Sequence, residues 1–184
     1  MVFVTDSAPR RSCAPPGRRR LARAIWACAP LVLWLAAIAL ASTNIASAAH
    51  TDVWLWRLVR LVSPDTLGGD SFSSHFGALS WGVRKMAHLV EYGVFGLLAA
   101  HTVKALFPGY ACGHTQRTLW RMAAVVLPLG VLVASIDELH QTLVPSRTGA
   151  LRDVAIDVVG VSAGLLGIWL IGRRRNRGRR GETT

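Results

Sequence analysis

The chain has 184 residues, of which 52% are hydrophobic, and its formal net charge is +11 at pH 7. The basic residues are concentrated at the two ends, and long uncharged runs lie between them. A soluble domain spreads charge over its whole surface, so this segregation excludes an ordinary soluble domain and predicts an all-α integral membrane protein. We expect no nucleic acid partner, because each basic segment borders an apolar run, where anionic lipid headgroups attract arginine.

The charge pattern divides the chain into three parts. Residues 1–23 contain six arginines, residues 173–184 contain six more, and residues 24–172 carry the apolar runs. We interpret the two ends as basic cytoplasmic segments and the middle part as the membrane domain. The three cysteines have no metal-ligand spacing and no even pairing, so we expect free thiols.

Four apolar segments are long enough to cross a membrane. A spanning helix needs about 20 mostly apolar residues, because lipid cannot satisfy an open backbone. The predicted spans cover residues 24–42, 85–106, 119–139 and 153–172. Between the first two, the stretch VWLWRLVRLV has apolar residues at helical spacing with Arg57 and Arg60 opposite, which predicts a short interfacial helix.

Basic residues flank the predicted spans unequally. If the N-terminus is cytoplasmic, fifteen of the 21 lysines and arginines lie on the inner side. The positive-inside rule therefore predicts a multi-pass protein of the bacterial cytoplasmic membrane with both termini in the cytoplasm. The small residues Ala46, Ser47 and Ala48 also resemble a signal peptidase site. Cleavage there would remove the first span without changing the sidedness of the others.

The second span begins with polar and ionisable residues. At about 100° of rotation per residue, Lys85, His88 and Tyr92 lie within an arc of about 60° on one helical face. Glu91 lies about 60° further around the helix than His88. A lone charge inside the membrane costs on the order of a few kcal/mol, so we expect Glu91 and Asp157 to face the bundle, paired.

The third and fourth spans carry matching polar faces. Glu138 and Gln141 share a face at the end of the third span, with Asp137 at its margin. Asp153 and Asp157 share a face at the start of the fourth span. In the predicted topology all three polar faces reach the outer surface, so we expect them to form one polar cluster there.

The aspartate face of the fourth span continues as a glycine stripe formed by Gly160, Gly164 and Gly167. Gly160 and Gly164 have the GxxxG spacing that allows two membrane helices to approach closely. The stripe predicts a tightly packed partner helix, within this chain or in a homo-oligomer.

The polar cluster has two interpretations. Its basic and acidic residues nearly balance, as they would in a purely structural ion-pair network. Charge balance does not require the additional imidazole, phenol and amide groups, however, and ionisable groups inside a membrane usually mark a functional site. His88, Glu91, Glu138 and Asp153 are reasonable metal ligands, but their spacing matches no metal motif, so we predict neither a metal nor a cofactor.

The order and spacing of these polar positions resemble the VanZ-like family of small bacterial membrane proteins. The matching residues of this chain are Lys85, His88, Tyr92, Glu138, Gln141, Pro145, Arg147 and Asp153. Asp157 stands where the family commonly has Asn, which makes the cluster more acidic. The resemblance covers about residues 24–172 and implies a cell-envelope protein. The family's namesake is linked to low-level resistance to the glycopeptide teicoplanin.

We interpret the cluster as a site that binds or modifies an amphiphile, such as a lipid-linked wall intermediate or a lipoglycopeptide. The predicted binding residues are Lys85, His88, Tyr92, Glu138, Gln141, Arg147, Asp153 and Asp157. If the protein is an enzyme, which the sequence leaves open, His88 or Glu138 would act as the base. Lys85 and Arg147 would hold anionic groups of the ligand.

Two other functions fit the same residues. A small proton-coupled carrier would use His88, Glu91 and Asp157 as titrating groups, although the acidic groups stay at one end and no inverted repeat is visible. A structural or assembly protein would use the glycine stripe to form a homo-oligomer or to bind a partner helix. Membrane lipids are expected partners under all three hypotheses.

Overall fold

The structure, a computed structural model, describes residues 17–43, 48–62, 70–110, 116–144 and 150–181. These residues form five α-helices and one short 3-10 helix, with no strand among them. The helices are α1 (Gly17–Ala41), α2 (Ala48–Val62), α3 (Asp70–Leu106), α4 (Gln116–Thr142) and α5 (Leu151–Gly181), and the 3-10 helix covers Pro108–Tyr110. All except α2 and the 3-10 helix are long and apolar enough to cross a membrane. The predicted all-α membrane architecture with four spans is confirmed.

Helix α3 is longer than the sequence predicts, because it begins at Asp70 and not near Lys85. Polar residues in its first turns lower the local hydropathy, but they do not interrupt the backbone hydrogen bonds that propagate a helix. At 1.5 Å per residue α3 is about 55 Å long, and a tilt of 40° still leaves about 42 Å along the membrane normal. The hydrocarbon core is about 30 Å thick, so part of α3 extends beyond it.

Helix α2 packs against the first half of α3. Ser80 donates a hydrogen bond to the carboxylate of Asp52, which joins the two helices. On the other side of α2, Trp54 and Leu61 are exposed, and the Arg57 guanidinium lies 5.2 Å from the centre of the Trp54 ring. The predicted amphipathic helix is therefore present, and its location at the membrane surface stays a prediction.

The core of the bundle is the interface between α3 and α5. Lys85 contacts Asp153, and Gly96 lies against the backbone of Val161 further along. Contacts advance in the same direction along both helices, so α3 and α5 run parallel. Two spans separated by one intervening crossing must do so, and α4 supplies that crossing.

Glycines allow this interface to close. A Cβ atom added at Gly160 would lie 2.6 Å from the carbonyl oxygen of Leu89, and one added at Gly164 would lie 2.8 Å from the backbone nitrogen of Leu97. The close helix contact predicted from the GxxxG spacing is present, and its partner is α3 of the same chain. Gly167 has no atom within 4 Å of an added Cβ, so the tight contact ends before it.

Apolar side chains cover both the inside and the outside of the bundle. Phe95, Met122 and Val126 are fully buried between the helices. Leu132 and Val159 are exposed on the outer surface. Because lipid chains are as apolar as leucine, this exterior suits a bilayer, and packing and polar contacts hold the helices together instead.

Candidate functional site

Polar side chains gather where α4 ends and α5 begins, beside the middle of α3. The buried members of this polar cluster are Tyr92, Asp137, Glu138, Gln141, Asp153 and Asp157. Lys85 and His88 are half-buried at its edge. The structure therefore brings together polar residues from the three faces that the sequence places on separate helices.

Two contacts join α3 to α5 within this polar cluster. Lys85 forms an ion pair with Asp153. About one turn further along, Nδ1 of His88 lies 3.1 Å from Oδ1 of Asp157. Asp157 has no exposed surface, which agrees with the expectation that it faces the bundle with a partner. Removing one member of such a buried pair usually costs more than the pair contributes, because the other member is left without its partner.

Glu138 joins α4 to the start of α5. Its Oε2 accepts a hydrogen bond of 2.7 Å from the backbone N–H of Ala150, the residue immediately before α5. In a capping box this N–H would bond to a carboxylate three residues later in its own helix, here Asp153. Asp153 pairs with Lys85 instead. Glu138, on the neighbouring helix α4, therefore caps the start of α5.

Asp137 extends the polar cluster to α1. Its Oδ2 accepts a hydrogen bond of 2.9 Å from Nε2 of Gln141, and its Oδ1 accepts one from the hydroxyl of Ser42 at the end of α1. The sequence predicts Asp137 only at the margin of the polar face of α4, and Asp137 is not among the predicted site residues. The signal was present, because positions four apart on a helix are neighbours and an amide–carboxylate pair at that spacing is favourable.

Three buried polar atoms of the cluster have no hydrogen-bond partner in the part of the chain that the structure describes. They are the hydroxyl oxygen of Tyr92, Oε1 of Glu138 and Oδ2 of Asp157. A buried polar group without a partner costs about 1–3 kcal/mol, so native proteins keep few of them. Three such atoms in one cluster make it the candidate site for a polar ligand.

The four side chains that the sequence offers as reasonable metal ligands are only partly brought together. His88, Glu138 and Asp157 each offer a ligand atom, and these atoms lie within 4.8 Å of one another. Asp153 and Glu91 are not members of this group. Glu91 is half-buried, and its backbone carbonyl accepts a hydrogen bond of 2.9 Å from the Trp34 indole.

One predicted site residue, Arg147, lies outside the described residues, as does Pro145 of the same turn. The other seven predicted binding residues are within or beside the polar cluster.

A family model for VanZ/LLP1 proteins matches residues 27–172. The chain belongs to the VanZ/LLP1 family. No curated protein and no solved structure matches it. The matched region begins in α1 and ends in α5, so it contains the four candidate spans almost entirely and every residue of the polar cluster. This VanZ/LLP1 protein is a multi-pass membrane protein.

A groove on this VanZ/LLP1 protein runs between α1 and α4 and has a volume of about 430 Å³. It is lined by Leu35, Ile38, Ala39, Thr43, Val133, Ile136, Asp137 and His140. Its walls are mainly aliphatic, and its polar lining residues are near the ends of α1 and α4. Asp137 belongs both to the groove and to the polar cluster. The sequence alone does not predict this groove, because it arises from the spacing between two helices.

The chemistry available at the polar cluster follows from its groups. His88 and Glu138 can exchange protons with a ligand, and Glu138 has one carboxylate oxygen free of hydrogen bonds from the described residues. Lys85 can attract an anion, although Asp153 already neutralises much of its charge. These groups suit the binding of a polar head and allow acid–base chemistry on it.

Proposed function

We propose that this VanZ/LLP1 protein binds an amphiphile of the bacterial cell envelope, with the apolar chain in the groove and the polar head at the polar cluster. Asp137 carries the proposal, because it lines the groove while it also bonds to Gln141 and Ser42. An apolar groove that reaches a buried polar group matches a molecule with one apolar end and one polar end. Ligand sites usually have volumes of about 300–1,000 Å³, a range that includes this groove.

The envelope offers two classes of such a molecule, lipid-linked wall intermediates and lipoglycopeptides. Both have a hydrocarbon chain and a head rich in hydrogen-bonding groups. Tyr92 and Glu138 supply polar atoms without partners among the described residues, and Lys85 supplies a positive charge for a phosphate or carboxylate. The protein acts from the cytoplasmic membrane with both termini in the cytoplasm, so the polar cluster faces outward, where these molecules are found.

The proposal allows two consequences of binding. The protein sequesters the amphiphile, or His88 or Glu138 acts as a general base on the bound head group. Either consequence would alter the response of the cell to teicoplanin. The family membership supports the link to teicoplanin, and the groove supports an amphiphile as the ligand.

A groove-filling substitution tests the proposal. Ala39 lines the groove, whereas Ala37 is exposed on the same helix and does not line it. The wild-type protein and the Ala39→Trp and Ala37→Trp variants would be purified in mild detergent, and their bound lipids identified by native mass spectrometry. We expect a retained amphiphile in the wild type and in Ala37→Trp, and its loss in Ala39→Trp.

Two outcomes would contradict the proposal. One is a wild-type protein that retains no amphiphile other than detergent, and the other is unchanged retention in Ala39→Trp. If the protein instead moves a substrate across liposome membranes with a coupled proton flux, the proton-coupled carrier is favoured. The teicoplanin tolerance of cells that express each variant connects binding to phenotype. This tolerance should rise and fall with the amount of amphiphile that the variant retains.

A further inference from the structure

We propose that His88, Glu138 and Asp157 bind a divalent transition-metal ion, of the kind represented by Zn²⁺ and Mn²⁺, inside the helix bundle. The three side chains come from α3, α4 and α5, and their candidate ligand atoms lie within 4.8 Å of one another. The proposal goes beyond amphiphile binding and does not depend on it. It also departs from the expectation, drawn from the sequence, that no metal binds.

The distances suit a metal ion after small side-chain movements. Metal bonds to nitrogen and carboxylate oxygen are about 2.0–2.2 Å long, so two ligand atoms on one ion lie about 3–3.5 Å apart. The candidate ligand atoms lie within 4.8 Å of one another, so the side chains have to come closer together when they hold an ion.

Free carboxylate oxygens provide a second, independent observation. Oε1 of Glu138 and Oδ2 of Asp157 are buried and have no hydrogen-bond partner among the described residues, and both residues are more than nine-tenths buried. In each carboxylate the other oxygen already has a partner, Ala150 N–H for Glu138 and the His88 ring for Asp157. Each side chain is therefore held by one oxygen and presents the other, as metal-binding carboxylates do.

The charges within the bundle also favour a cation at this place. Two carboxylates lie near a single imidazole, and the nearby Lys85 is engaged by Asp153. Buried charges are tolerated when they pair with opposite charge or coordinate a metal. A divalent ion would neutralise both carboxylates. The hydroxyl of Tyr92 is the third buried polar atom of the cluster without a partner in the described part of the chain.

The donor set identifies the class of metal. One imidazole nitrogen suits zinc, iron and other first-row ions better than magnesium or calcium, and the two carboxylates suit manganese and zinc. With three protein ligands a tetrahedral ion keeps a position open, as in catalytic rather than structural zinc sites. A head group with a phosphate or carboxylate could occupy that position.

Metal binding is measured on the full-length protein in detergent, purified with an affinity tag that contains no histidine. After treatment with a chelator, ZnCl₂ or MnCl₂ is added, the excess is removed by dialysis, and the metal is quantified by mass spectrometry. We expect close to one tightly held ion per chain and a higher unfolding temperature for the metal-loaded protein. A wild-type protein that holds only traces of both metals overturns the proposal.

Matched variants locate the ion. We expect His88→Asn and Glu138→Gln to bind more than about tenfold more weakly than wild type, since loss even of a supporting residue costs 10–100-fold in affinity. His101→Asn is the control, because it removes an exposed imidazole from the same helix as His88. This control should bind the ion like the wild type. Unchanged affinity in His88→Asn and Glu138→Gln overturns the proposal.

A measurement on the wild-type protein covers the case in which a variant fails to fold. The X-ray absorption spectrum of bound Zn²⁺ distinguishes imidazole, oxygen and sulfur ligands. We expect one imidazole together with oxygen ligands. Sulfur ligands, or oxygen ligands without imidazole, overturn the proposal. Because neither metal content nor this spectrum requires an amphiphile, failure here is distinct from failure of the proposed function.

Discussion

Oε2 of Glu138 accepts a hydrogen bond of 2.7 Å from the backbone N–H of Ala150, so a side chain near the end of α4 caps the first turn of α5. No lysine or arginine among the described residues forms an ion pair with Glu138; the described ion pairs are Lys85–Asp153 and His88–Asp157. The structural contribution of Glu138 is therefore that of a hydrogen-bond acceptor. Its other carboxylate oxygen, Oε1, has no hydrogen-bond partner among the described residues.

Variants of Glu138 that keep or remove its hydrogen-bond acceptor therefore distinguish a functional site from a purely structural network. A Gln at this position keeps a carbonyl oxygen for the Ala150 N–H, whereas a Leu does not and leaves a part-buried donor without its partner, at a cost of about 1–3 kcal/mol. We expect Glu138→Gln to keep nearly normal membrane abundance and to lose amphiphile retention and teicoplanin tolerance. Glu138→Leu should lose abundance as well. Abundance is measured by quantitative immunoblotting of isolated membranes.

A purely structural cluster predicts a different pattern for the same variants. Function would then fall only in proportion to the amount of protein, and Glu138→Gln would behave like wild type in both measurements. The variant Asp153→Asn is the reference for the loss of an ion pair alone. It weakens the pair with Lys85 and leaves the Glu138 cap of α5 in place.

The glycine contacts between α3 and α5 lead to a second prediction. Alanine normally stabilises a helix by about 0.5–1 kcal/mol relative to glycine. At Gly164, however, the added Cβ would overlap the carbonyl oxygen of Gly93 and lie 2.8 Å from the backbone nitrogen of Leu97. Backbone atoms cannot rotate away, so we expect Gly164→Ala to destabilise the protein by about 1–3 kcal/mol, as overpacking does elsewhere.

Gly167→Ala is the matched control, because nothing lies within 4 Å of its added Cβ. This variant should unfold at the same temperature as the wild type or slightly higher. The measurement is thermal unfolding in detergent, followed by fluorescence. Equal stability of Gly164→Ala and Gly167→Ala would show that α3 and α5 are not in backbone contact.

The orientation of the protein leads to a third prediction, based on the unequal distribution of lysine and arginine. Leu61 on α2 is 84% exposed and lies on the predicted outer side, whereas the exposed Arg117 at the start of α4 lies on the predicted inner side. In a background without native cysteines, Leu61→Cys should react with a membrane-impermeant thiol reagent in intact cells. Arg117→Cys should react only after the cells are opened. The reverse pattern would invert the topology and place the polar cluster in the cytoplasm.

Features that depend on local composition are already determined by the sequence. The four apolar runs, the segregation of charge and the family resemblance are local or collinear properties. The structure confirms the four candidate spans, and the family match confirms the resemblance. The polar face of α3 follows in the same way, because rotation along a helix is constant. Lys85 and His88 therefore had to lie on one side of it.

Contacts between helices were decided only by the tertiary structure. Both the lipid-facing and the inward-facing surfaces are apolar, so hydropathy does not distinguish them or set the rotation and offset of one helix against another. The pairing of His88 with Asp157, the role of Gly93 as the counterpart of Gly164 and the bond from Ser42 to Asp137 all depend on that offset. The groove between α1 and α4 likewise arises from the distance between two helices, which no single segment of the chain encodes.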